Sequence, residues 1–163
     1  MARHRLVNEA WGFDSNCFVC EPKNPTGLRI SFEHDDEAGS VVATFTLGPE
    51  FSGAPRYVHG GITLAVLDEA QAWATIALGG KFALTVETST RFEQPVLVGK
   101  TYTVEARVLE QTEDSIATEA DVLRANGSVC ARGTATFAVL GPAAAADAIG
   151  TELPADLDDY LGR

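Results

Sequence analysis

The chain predicts an α+β architecture in which an antiparallel sheet wraps around one long central helix. Three observations carry that expectation. Residues 62–78 are apolar almost all round, as in a helix enclosed by other structure. Two runs with strand-like alternation precede this helix and four follow it. Between the last two runs stands Asn126-Gly127, a strong hairpin signal.

Taken in order, residues 1–27 read as irregular, punctuated by Pro22, Pro25 and Gly27. Residues 28–33 alternate apolar and polar with the period of a half-buried strand, and a second strand is expected at 40–47. A loop at 48–58, broken by Pro49, Gly53 and Pro55, delivers the chain to a helix opening at Gly60 and closed by Gly79-Gly80. Four β-leaning runs follow at 82–92, 101–111, 115–124 and 128–140. Beyond Gly141 the chain is alanine-rich and then acidic, with Asp156, Asp158 and Asp159; it reads as a loose extension carrying a short helix at 155–161. The expected organisation is an irregular segment at 1–27, one domain at 28–140 and a tail at 141–163.

With 163 residues and 45% hydrophobic content, the chain is expected to form one soluble globular domain. No apolar run is long enough for a membrane span, so no membrane partner is expected. Met1-Ala2-Arg3-His4-Arg5 does not open a secretory leader, which points to a cytoplasmic location. A net charge of -11 repels nucleic-acid backbones, so no nucleic-acid partner is expected. A polyanionic ligand would need a local patch drawn from Arg56, Lys81, Arg91, Lys100, Arg124 and Arg132. Cys17, Cys20 and Cys130 are an odd count and fit reduced thiols. Cys17-Phe-Val-Cys20 has the spacing of half a zinc site, but the chain has no second pair, so neither metal nor cofactor is expected. A sheet around a single helix leaves edges that a second copy can cover, hence a homo-oligomer, either a dimer or a dimer of dimers.

The helix also holds a chemical anomaly. Asp68 has Leu64, Ala65, Gln71 and Ala72 as its helical neighbours, and an ionised carboxylate there is costly unless hydrogen-bonded or turned towards a wet pocket. Glu69 points about 100° away and is expected to pair with Arg56 or Arg91, with a reserve role as base.

The order of elements, the His59-Gly60-Gly61 turn opening the helix and Asp68 further along it resemble the hotdog-fold acyl-CoA thioesterases, in particular their phenylacetic-acid-pathway and THEM-like branch. Asn24-Pro25-Thr26-Gly27-Leu28, Phe92-Glu93-Gln94-Pro95 and Ala131-Arg132-Gly133-Thr134-Ala135-Thr136-Phe137 extend the likeness over most of the chain.

The resemblance implies a site. A backbone N–H of Gly60 or Gly61 at the helix start, with Gly60 preferred, would hold the thioester oxygen. Asp68 would act as general base or nucleophile, and Thr85 would supply a hydroxyl that orients water. His59 reads as a neutral residue shaping the turn, since the helix dipole disfavours its charged form. Gly61, Ser52, Arg91, Phe92 and Trp73 complete the candidate substrate-binding set. Many relatives carry an amide side chain in the loop before His-Gly-Gly; here that loop reads Phe51-Ser52-Gly53-Ala54-Pro55, and Ser52 would have to substitute with a shorter reach.

Helix geometry adds a constraint. Gly60 and Asp68 lie eight residues apart, roughly 12 Å along the axis at about 1.5 Å per residue, whereas reacting groups meet within about 3 to 3.5 Å. Acting on one acyl-CoA, they must come from different subunits. The rival readings are a non-catalytic acyl-ligand binding protein and, for Asp68, a structural acid bonded to backbone or arginine. A hydratase of the same superfamily fits worse, because its Asn-Pro-x-His-x-Asp motif is absent.

Overall fold

The computed structural model describes residues 2–11 and 14–152. Seven strands, β1 (Arg3–Leu6), β2 (Phe32–Asp35), β3 (Ser40–Thr46), β4 (Ala83–Phe92), β5 (Thr101–Gln111), β6 (Ser115–Leu123) and β7 (Val129–Val139), form one sheet in the order β1-β2-β3-β5-β6-β7-β4. Every pairing is antiparallel. The helix α1 (Gly60–Ala77) lies across one face of the sheet and touches strands β2 to β7. Val66, Leu67, Ala70, Trp73 and Ala74 of α1 meet Phe32, Val41, Val104, Ala106 and Val122 of the sheet in the main core. This is the α+β hotdog architecture. No helix among the described residues is long and apolar enough to cross a membrane.

One buried polar link joins helix and sheet. Thr118 Oγ1 donates to Gln71 Oε1 at 2.8 Å while Gln71 Nε2 donates to the Leu67 carbonyl at 3.1 Å, so a fully buried amide keeps its hydrogen bonds.

The N-terminal part departs from expectation. Residues 3–6 are a strand rather than irregular chain, tied to β2 by an Arg3 Nε donation to Asp35 Oδ2 at 3.1 Å. The expected strand at 28–33 begins only at Phe32, because Arg29 has a φ of 54° and breaks extended geometry. Upstream, Asn24 turns the chain: its Oδ1 accepts from the Thr26 N–H and hydroxyl, and Leu28 N–H returns to the Phe18 carbonyl at 2.7 Å. A Cβ on Gly27 would sit 2.6 Å from that carbonyl oxygen, so the motif's glycine is sterically required.

The hairpin at Asn126-Gly127 is present, with Gly127 at a φ of 82° and its N–H on the Arg124 carbonyl. Past Gly141 the chain forms α2 (Pro142–Ile149), whose Ala145 is buried, where a loose extension was expected. The helix expected at 155–161 lies outside the described residues.

Candidate functional site

The loop before α1 sets its entry. Val58 N–H bonds the Val96 carbonyl and His59 N–H the Phe51 carbonyl, fixing His59 at the N-cap of the helix. His59 Nδ1 accepts the Gly61 N–H at 2.9 Å, which requires that nitrogen to be unprotonated and leaves Nε2 to carry the proton of a neutral ring. The two glycines are therefore unequal. Gly61 spends its donor inside the cap, whereas Gly60 N–H has no acceptor among the described residues. Gly60 is exposed, and Phe92 lies close beside it, with Cζ 3.6 Å from where a Cβ would stand.

Phe92 reaches that place because β4 carries a bulge. Thr85 pairs with Phe137 and Glu87 with Thr136, so Val86 has no partner across the ladder. The helix-facing positions shift from the 83, 85 series to 88, 90 and 92, and the strand's last aromatic turns inward over the helix start. Before the bulge, Thr85 donates its hydroxyl to Asp68 Oδ1 at 2.7 Å. Asp68 is part-buried, and no Lys, Arg or His pairs with it among the described residues. Its other carboxylate oxygen is open to a proton donor.

The remaining predicted residues scatter. Ser52 donates its hydroxyl to the Pro49 carbonyl at 2.7 Å, so only its lone pairs face a ligand. Arg91 is largely exposed and sits 3.6 Å from Glu93. Arg132, another candidate for a basic patch, is held by both oxygens of Asp121 at 2.6 and 2.7 Å. Trp73 is thirteen residues beyond Gly60, roughly 20 Å along the axis. It belongs to the acid end, where it lines a cavity of about 380 Å³ with Ile76, Phe82, Ala72 and Glu69.

Glu69 corrects the sequence reading most sharply. It pairs with neither Arg56 nor Arg91; Cys17 Sγ and Glu69 Oε1 share a hydrogen bond at 3.3 Å, and Cys17 Sγ, Cys20 Sγ and a Glu69 oxygen all lie within 4.8 Å of one another. Burial, reinforced by the charge of Cys17, raises the Glu69 carboxyl to about 8. The Cys20 thiol's hydrogen bond, followed by backbone N–H groups of Cys20 and Val19, pulls Cys17 down to about 5. Cys20, giving that bond, is pushed up. Sequence spacing hides this cluster, because Cys17 and Glu69 are 52 residues apart. The available signal was a second acid beside Asp68 together with an unabsorbed Cys-x-x-Cys.

A long helix packed against a seven-stranded antiparallel sheet, with a bare N–H at its start and an acid midway along it, makes this a hotdog-fold protein. Residues 56–131 match the model of the thioesterase superfamily. Mouse acyl-coenzyme A thioesterase THEM5 is 33% identical over 85 residues, covering 52% of this chain and 33% of that protein. The chain thus matches a third of its curated relative's length. A crystal structure of a thioesterase superfamily protein aligns with a TM-score of 0.71 and 28% identity over 82% of this chain and 66% of that one. A Streptococcus mutans protein bound to acetyl CoA shares the fold with a TM-score of 0.60 and 20% identity, over 63% of this chain and 82% of its own. Residues 56–131 thus carry the match to the thioesterase superfamily, within a hotdog fold that extends over most of the described chain, and the likeness to THEM5 is consistent with a THEM-like branch.

Proposed function

We propose that the chain is an acyl-CoA thioesterase that hydrolyses an acyl-CoA to the free acid and CoA, at a site shared by two copies. Gly60 N–H of one copy holds the carbonyl oxygen, and Asp68 of the other takes a proton from the attacking water. The water oxygen bonds to the carbonyl carbon, the oxyanion collapses, the C–S bond breaks, and the thiolate leaves with a proton returned by Asp68. Thr85 holds one oxygen of Asp68 so that the other faces the water. His59 fixes the turn, Phe92 walls the Gly60 end, and Arg91 is an exposed cation available to the CoA phosphates.

The observation that carries this reading is the state of Asp68: part-buried on an apolar helix and bonded to a hydroxyl rather than to the backbone or arginine expected of a structural acid. The copies would meet along β4, which among the described residues pairs only with β7 and leaves Leu84, Val86 and Phe92 more than half exposed. Thiol release from a panel of acyl-CoAs tests the proposal beside the Asp68→Asn variant. The parent is expected to release CoA and the variant to lose about 10²- to 10⁴-fold in kcat while still binding acyl-CoA. Binding without turnover by either protein would replace the enzyme with an acyl-CoA binding protein; unchanged turnover by the variant would remove Asp68 from the chemistry.

A further inference from the structure

The cluster on the other face of Asp68's turn has the composition of a metal centre. Cys17 and Cys20 lie on the turn leading to the Asn24 loop, and that turn is braced from outside: Asn8 Nδ2 donates to Cys20 Sγ at 3.3 Å and to Ser15 Oγ at 3.0 Å, and Cys17 N–H donates to Ser15 Oγ. Cys20 N–H points back at Cys17 Sγ at 3.4 Å. Such N–H donation within a Cys-x-x-Cys turn favours a metal-bound thiolate. Glu69 supplies the third donor from α1, so a single pair of cysteines suffices where the sequence alone offered only half a site.

We propose that Cys17 Sγ, Cys20 Sγ and the Glu69 carboxylate bind one thiophilic divalent cation of the zinc class. The donors converge within 4.8 Å, and two sulfurs with one carboxylate suit zinc. The fourth tetrahedral position opens to the cavity walled by Trp73, Ile76 and Phe82, where water completes the shell. Binding displaces the protons that the three groups hold between them into solvent, with no change of oxidation state. The ion fastens the N-terminal segment to α1 one residue from Asp68. This inference concerns binding and stands whether or not the chain hydrolyses thioesters.

The full-length protein, reduced and stripped with a chelator, is titrated with Zn²⁺ and, separately, with Co²⁺. One ion per chain is expected, with a thiolate-to-cobalt charge-transfer band in the near ultraviolet, proton release on binding and a higher Tm with Zn²⁺. Cys20→Ser is expected to weaken binding by more than about tenfold and to reduce the band, and Glu69→Gln to weaken binding while retaining the band. Cys130→Ala is expected to leave both unchanged, since Cys130 is buried in β7 outside the cluster. The parent's spectrum decides the matter even if a variant fails to fold. No cobalt band at stoichiometric Co²⁺, or a band undiminished in Cys20→Ser, overturns the proposal.

Discussion

At the residue scale the site reduces to which backbone and side-chain groups still have bonding capacity. Gly60 is the first residue of α1, and the residue before it, His59, has a φ of -58° and ψ of 135°, a conformation a following proline tolerates. Gly60→Pro therefore deletes one N–H with little disturbance of the helix. We expect kcat to fall by about 10²- to 10³-fold, the usual loss for one oxyanion donor. Gly60→Ala, whose Cβ would meet Phe92 at ordinary contact distance, should keep most activity. Steady-state kinetics of the pair decide it, and equal rates would take the oxyanion from Gly60. Thr85 is tested similarly. A hydrogen bond to a charged group contributes about 1.5–3 kcal/mol, so Thr85→Val should cost roughly 10- to 100-fold in kcat. Thr85→Ser should restore most of it; a Val variant as fast as the parent would reduce Thr85 to a strand former.

At the element scale, legibility followed local periodicity. The helix over Gly60–Ala77 was readable because its apolar character persists around every face, and β3 to β7 were readable from alternation and turn chemistry. β1 was not, because Arg3-His4-Arg5-Leu6 carries no alternation long enough to register, and it exists through its ladder to β2. Nothing local announces the Val86 bulge, yet it decides that Phe92 faces Gly60. The Thr85–Asp68 contact was anticipated only through resemblance, and the Cys17–Glu69 contact not at all, since both are long-range. The Thr118–Gln71 link between β6 and α1 gives this scale its own prediction. Thr118→Val leaves a buried Gln71 oxygen without its donor and should cost about 1–3 kcal/mol in a urea titration. Adding Gln71→Leu should cost less than the sum of the single changes. Strict additivity would mean that the two residues do not couple helix to sheet.

At the scale of the whole molecule, the separation of Gly60 from Asp68 along one rigid helix is the decisive fact. Neither a loop movement nor a side-chain rotation closes roughly 12 Å between residues fixed on the same α-helix. In the proposed mechanism a second copy does, and the exposed β4 edge would offer the place for it. The consequence is complementation between two inactive proteins. A dimer of one Asp68→Asn chain and one Gly60→Pro chain contains one site with both lesions and one with neither, because each intact group lies opposite the other. Equal amounts, allowed to exchange subunits at random, place half the chains' pairings in mixed dimers and should recover about a quarter of parental activity. Val86→Lys supplies the control: this side chain is 64% exposed in the single chain, so a charge there spares the monomer fold while opposing apolar pairing along β4. Placed in both partners, it should abolish the recovery and shift the sedimentation coefficient towards monomer. If the mixture stays as inactive as its components while the untagged variant co-purifies with a tagged copy of the other, each site is built within one chain, and Gly60 and Asp68 cannot act on the same thioester.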